Sequence, residues 1–258
     1  MAPVAWIVFF IGLFVGSFLN VCIWRLPKSE EVVWGRSYCP SCKGKIAWYD
    51  NVPIVSFLIL KGHCRKCQGN ISLRYPLVEL LTGFALMMVV QTWGLGWLSL
   101  VYGVLVATLI VVSVIDLREM IIPDVVSLPG LALALVVSFL LPQLHAVDGR
   151  LMALGLSALG ALVGGGSIYA MGVLGELIFK KEAMGGGDVK LMAMVGAVLG
   201  WQTVLLAFFL APIFGCVVGV PLKLKKKIEL IPYGPFLSLA SVVALGWKTP
   251  IFNWILGR

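Results

Sequence analysis

The sequence predicts an all-α integral membrane protein of about eight transmembrane helices with one small polar loop domain. Three observations carry that prediction. The 258 residues are 60% hydrophobic and 12% charged, with a mean hydropathy of +1.01, whereas soluble domains carry about twice that share of charge. Apolar stretches near the ~20 residues that cross a ~30 Å hydrocarbon core recur from end to end. The Lys and Arg residues gather in alternate loops.

The apolar stretches run over residues 4–24, 77–92, 97–115, 125–141, 151–179, 189–199, 203–220 and 230–245. The first has no basic flank before it and no small-residue cleavage site, so it reads as a retained span rather than a signal peptide. The fifth contains Gly164-Gly165-Gly166, which predicts a kink, tilt or break there. The sixth is short. Placing the loops after spans one, three, five and seven on one side collects there all 20 Lys and Arg residues except Arg150, Lys248 and Arg258. The positive-inside rule makes that side cytoplasmic and puts both termini outside. The run Lys223-Leu224-Lys225-Lys226-Lys227 is part of this topology signal. A net charge of +8 then needs no nucleic acid as partner, and anionic membrane lipid suffices.

This divides the chain into a first span (1–24), a cytoplasmic loop (25–76) and a multi-span core (77–258). The loop carries Cys39-Pro40-Ser41-Cys42 and Cys64-Arg65-Lys66-Cys67. Two CxxC knuckles at this separation have the four-thiolate spacing of a structural zinc site. A cytoplasmic loop is kept reduced, which favours metal over disulfides, and a metal supplies folding energy that so small a loop lacks. Cys22 and Cys216 sit within spans and read as packing residues. His145 lies in an outside loop with no partner visible in the sequence.

Carboxylates at the edge of hydrocarbon are costly and are usually functional. Val114-Ile115-Asp116-Leu117-Arg118 closes the third span and leads to Ile122-Pro123-Asp124, while Gly185-Gly186-Gly187-Asp188-Val189-Lys190 opens the sixth. Both motifs fall on the cytoplasmic side. Two carboxylates brought together there suggest a dyad sharing one proton. Asp124 follows Pro123 at a helix start and reads as an N-cap. Asp188 could cap as well, but three glycines before it allow close backbone approach by a bound chain. Asp116 ends a helix, where the dipole disfavours negative charge, which suits the protonated partner. Glu79 reads as an anion at a helix N-terminus, with contact to the active site as the alternative. The acidic residues Glu30, Glu31, Glu176 and Glu182 read as solvated loop charges.

Gly16-Ser17-Phe18-Leu19-Asn20-Val21-Cys22-Ile23-Trp24-Arg25-Leu26-Pro27, the two cysteine knuckles, Arg74-Tyr75-Pro76-Leu77-Val78-Glu79-Leu80-Leu81-Thr82-Gly83, and the two aspartate motifs stand in that order. Together they resemble the type IV prepilin peptidases, and the resemblance covers nearly the whole chain. It implies a bacterial inner-membrane aspartic endopeptidase of the GxGD type. Asp116 and Asp188 would be its catalytic pair. Its substrates would be prepilins and the pseudopilins of type II secretion, cleaved after Gly and usually before Phe. The resemblance also implies N-methylation of the new N-terminus with S-adenosylmethionine. Asn20 and Arg25, which lie within the first signature, are weak candidates for that second site. No glycine-rich dinucleotide fold accompanies them.

Two rival functions make different demands. A proton- or cation-coupled transporter would place its carboxylates near the midplane between internal repeats, and no repeat is visible. A non-enzymatic scaffold would use the cysteine loop but leave the paired acidic motifs unexplained.

Overall fold

The computed structural model describes residues 2–34, 37–180, 184–226 and 231–255. Glu182, Lys227 and Arg258, used above in the charge argument, lie outside them. Among the described residues the protein is helical, with two isolated bridges (Tyr38 to Lys45 and His63 to Asn70) and no strands. The helices are α1 (Ala2–Arg25), α2 (Val55–Ile59), α3 (Arg74–Trp93), α4 (Trp97–Glu119), α5 (Asp124–Leu140), α6 (Arg150–Phe179), α7 (Gly186–Leu199), α8 (Trp201–Lys226) and α9 (Gly234–Ile255).

Eight of these match the eight apolar stretches, and α2 belongs to the polar loop. Helices suit such sequences because each one satisfies its own backbone polar groups in hydrocarbon. Five helices (α1, α3, α4, α6 and α8) are long and apolar enough to cross a membrane, while α5 and the Gly234–Trp247 part of α9 are apolar but shorter. At 1.5 Å per residue α7 is about 21 Å long, less than the hydrocarbon thickness. The last apolar stretch begins later than its composition indicates. Residues 231–233 form a connection, and α9 starts at Gly234.

The chain falls into two compact units that divide in sequence between Val111 and Val112, inside α4. In the first unit α1 packs on α3. Phe9 and Phe84 meet at 4.8 Å between ring centroids, and Asn20 Nδ2 donates to the Tyr75 carbonyl at 3.1 Å. Glu79 is buried on α3, and its Oε2 accepts the Ile54 N–H at 2.8 Å. That bond ties the polar loop to the helix, a more specific task than answering a helix dipole. It also steadies Ile54, whose φ of 61° is unusual for a β-branched residue.

In the second unit α6 and α7 approach most closely at Gly160 and Gly196. A Cβ on either would run into the carbonyl group of the other, so hydrogen is the only side chain that fits. Small residues of this kind let membrane helices pack backbone to backbone. Ser157 Oγ adds a bond across the same seam, donating to the Ala197 carbonyl at 2.8 Å. Of the kink, tilt or break expected at Gly164-Gly165-Gly166, the break does not occur, since α6 runs unbroken from Arg150 to Phe179. Gly164 and Gly165 serve packing: a Cβ on Gly164 would strike the Met192 carbonyl of α7, and one on Gly165 would lie 3.2 Å from the Ala193 Cβ. His145 also finds a partner, with Nε2 lying 3.1 Å from Ser138 Oγ.

Candidate active site and candidate metal centre

Asp116 sits in the last turn of α4, one turn before Met120 ends the helix in the left-handed region (φ 54°). Its side chain is buried, at 6% exposure. A charged group there requires donors, and one comes from far along the chain. The Gly234 N–H donates to Asp116 Oδ2 at 2.8 Å. The space is tight, because a Cβ on Gly234 would lie 2.7 Å from that same oxygen.

Asp188 is the third residue of α7. The glycines before it let its carboxylate fold back over Gly185, where an added Cβ would lie 3.4 Å from Asp188 Oδ2, and the Asp188 N–H donates to the Gly185 carbonyl at 3.1 Å. Gly187 presses on Ile122, with a Cβ there only 2.9 Å from the Ile122 Cβ. The loop between α4 and α5 is thereby fixed against the start of α7. The two aspartates come close enough for the charge of Asp116 to act on Asp188.

Asp124 takes a different role from the one its sequence context indicates. Pro123 occupies the N-cap position of α5, and no side chain caps it. Both carboxylate oxygens of Asp124 instead meet Lys190 Nζ at 2.7 Å. That exposed ion pair joins the first turns of α5 and α7, and so links the two acidic motifs. Such pairs contribute about 0.2–1 kcal/mol.

Tyr233 and Gly234, missed at the sequence level, complete this region. Ile231-Pro232-Tyr233-Gly234-Pro235 looks like an ordinary helix start, and its proximity to Asp116 exists only in the folded chain. The usable signal was the Pro-flanked glycine, a residue suited to close approach.

In the first unit the polar loop folds around its cysteines. Their four Sγ atoms lie within 4.8 Å of one another, and all four are free of disulfides. The two knuckles repeat one geometry. The Cys39 and Cys64 N–H groups donate to the Gly44 and Gly69 carbonyls, while Lys43 N–H and Gln68 N–H return to the carbonyls of Cys39 and Cys64. Lys43 and Gln68 both adopt φ 57°. The Cys42 backbone N–H, more than any other group, pulls the Cys39 thiol down to about 6, towards the thiolate a metal needs. Arg65 pairs with Asp50 at 2.7 Å, holding that carboxyl below its usual range and fastening the second knuckle to the rest of the loop. The cluster is a candidate metal centre.

Asn20 and Arg25 are both buried. Asn20 bridges α1 and α3 as described, yet its Oδ1 has no partner among the described residues. Arg25 Nη1 donates to the Glu31 carbonyl at 2.9 Å, shaping the exit from α1.

Comparison with known proteins sets these sites in context. Residues 10–93 match the bacterial peptidase A24 N-terminal domain, and residues 103–220 match the type IV leader peptidase family. A prepilin leader peptidase/N-methyltransferase of Aeromonas salmonicida is 36% identical over 97% of this chain and 93% of its own length. The chain belongs to the type IV leader peptidase family. Its relatives of the same name include proteins of Pseudomonas aeruginosa, 35% identical over 93% of this chain and 89% of that protein, and of Neisseria gonorrhoeae, 33% identical over 95% and 92%. No solved structure was found to match the chain. The matched leader-peptidase region contains both aspartate motifs, and the N-terminal match contains all four cysteines.

Proposed function

We propose that this protein is a membrane aspartic endopeptidase that removes the leader from type IV prepilins and then N-methylates the new N-terminus. The observation that carries the peptidase reading is the buried Asp116, held by the Gly234 N–H beside Asp188. Family membership gives the substrate class, whereas a transporter or a scaffold would leave both unexplained. We assign the catalytic pair to Asp116 and Asp188, and the peptidase core to residues 77–258.

The chemistry follows from two carboxyls sharing one proton. The ionised aspartate takes a proton from water, whose oxygen bonds to the scissile carbonyl carbon. The protonated aspartate donates a hydrogen bond to the carbonyl oxygen. Collapse of the tetrahedral species breaks the C–N bond, and the departing amine takes a proton from the dyad. Substrates would include pseudopilins of type II secretion, cut after Gly and usually before Phe. We place the enzyme in the bacterial inner membrane with both termini outside, on the distribution of Lys and Arg. A prepilin anchored by its own apolar helix, its basic leader in the cytoplasm, then presents its cleavage point at the depth of the dyad.

Methyl transfer is the second reaction and must follow cleavage, because the leader occupies the amine until then. S-adenosylmethionine supplies an electrophilic methyl group, and the new amine accepts it in unprotonated form. The unpaired, buried Asn20 Oδ1 is an acceptor suited to a bound donor's N–H. We propose that Asn20 and Arg25, at the exit of α1 beside loop 25–76, flank the donor. One experiment tests both activities: incubate the purified protein with a prepilin and labelled S-adenosylmethionine, then weigh the product. Leader loss with one labelled methyl group is expected, and an intact prepilin would end the reading.

The metal we assign to the cysteines is zinc. Four ligands at ~2.3 Å around a tetrahedral ion stand ~3.8 Å apart, and Cys39 Sγ lies 3.9 Å from Cys67 Sγ. The ion would fix loop 25–76 and take no part in hydrolysis. Elemental analysis should find about one zinc per chain. Changing Cys39 and Cys42 to Ser should release it, open the loop to protease, and reduce methylation more than cleavage. Full zinc occupancy in that double variant would place the ligands elsewhere.

A further inference from the structure

Hydrolysis of an amide by two aspartates leaves one demand unmet. The carbonyl oxygen gains electron density as its carbon becomes tetrahedral, and a single protonated carboxyl has to meet it, because the ionised partner is engaged with the water. Enzymes commonly add a fixed donor aimed at that oxygen. The second unit contains a side chain free for the task.

Tyr233 precedes α9 directly. Its backbone is pinned, because its carbonyl accepts the N–H groups of Phe236 at 3.0 Å and Leu237 at 3.1 Å. Its ring rests beside Phe236, 6.5 Å between centroids, and against α8 at Gly215, where a Cβ would lie 3.9 Å from Cε2. The neighbouring Gly234 N–H is the group that holds Asp116. The Tyr233 hydroxyl is therefore carried by the segment that fixes one aspartate, and it is close enough to the other for the charge of Asp188 to reach it. Yet this oxygen is shielded from solvent and has no hydrogen-bond partner among the described residues. Leaving a buried hydroxyl unpaired is costly, because its desolvation is not repaid. Such a cost is commonly retained where a ligand completes the bond.

We propose that Tyr233 is a third catalytic residue, whose hydroxyl donates a hydrogen bond to the scissile carbonyl oxygen of the bound leader peptide. The proposal rests on the assignment of Asp116 and Asp188 as the dyad. Phenol is a neutral donor at neutral pH, so it can serve beside a carboxylate without altering the dyad's single proton. That proton stays on the tyrosine throughout, and no bond to Tyr233 forms or breaks. The segment Tyr233-Gly234 thus serves both ends of the reaction, with one backbone N–H on Asp116 and one side-chain O–H on the substrate.

Tyr233→Phe in the full-length protein tests this, because it keeps the ring and removes only the donor. Cleavage of a prepilin should lose about 10²-fold in kcat with KM unchanged. Affinity for a peptide carrying a tetrahedral hydroxyl isostere at the cleavage point should fall by a similar factor, and thermal stability should hold. A wild-type kcat would overturn the proposal. So would a loss accompanied by an equal rise in KM or a lower melting temperature, which marks a purely structural role. Difluorotyrosine at position 233, whose phenol ionises well below that of tyrosine, supplies a second measure. It should add a basic limb to the kcat–pH profile, and a profile identical to wild type would count against a donor. Asp188→Asn assayed in parallel separates the two readings. If it cleaves normally, the dyad itself is wrong; if it is dead while Tyr233→Phe is unimpaired, only the role of Tyr233 fails.

Discussion

Replacing either Asp116 or Asp188 with Asn is expected to cut prepilin cleavage by ~10⁴-fold, while the protein still accumulates in the membrane. An amide matches a carboxyl in size but can neither take the proton from water nor pass it to the leaving amine. At position 116 the change also disturbs the Gly234 bond, since the Gly234 N–H at 2.8 Å needs an oxygen and the amide offers only one. Asp124→Asn is the contrasting control. Its carboxylate is engaged with Lys190 on an exposed surface, and an exposed pair contributes ~0.2–1 kcal/mol, so most activity should remain. Cleavage assays on membranes matched for protein amount would show the pattern. Normal turnover by either Asn variant at 116 or 188 would remove the aspartic mechanism, and loss at 124 equal to theirs would bring Asp124 into the site.

Gly196→Val is expected to be nearly as damaging, for a different reason. The new branched side chain would be forced into the Gly160 backbone, where not even a Cβ fits. Overpacking costs ~1–3 kcal/mol when side chains can yield, and here a helix backbone must move instead. Because α7 carries Asp188 in its first turn, separating α7 from α6 would also shift the carboxylate. A displacement of about 1 Å can cost ~10²-fold in rate. Protein yield and specific activity should both fall. Gly166→Ala on the same helix α6 should do neither, since nothing lies within 4 Å of the added Cβ. Equal behaviour of the two variants would mean that the α6–α7 seam is not tightly packed.

Hydropathy located all eight of the apolar helices, most of them to within a few residues, because burial in hydrocarbon depends on composition more than on tertiary detail. The bounds proved least reliable where polar and apolar residues mix, as at the start of α9. The four-cysteine cluster was equally legible: two CxxC pairs specify their own turns through local hydrogen bonds, and bringing two knuckles together leaves few arrangements for four sulfurs. The acidic motifs stood out because carboxylates are rare among apolar runs.

Other features depend on contacts between residues distant in the chain, and no local pattern encodes those. The glycines of α6 looked like points of weakness, and only the arrival of α7 makes them points of closest packing. Asp124 looked like a cap until Lys190 was placed opposite it. Glu79 needed Ile54 to disclose what it holds.

By itself, then, the sequence determined the helical membrane architecture, the four-cysteine cluster and the two aspartates that stand out from it, all through short-range chemistry. The tertiary structure alone decided that Gly234 grips Asp116 from 118 positions away and that the Tyr233 hydroxyl is left buried and unpaired. The reason is physical. Propensity, hydropathy and knuckle turns act over a few residues, whereas a hydrogen bond between distant segments exists only once the helices have packed.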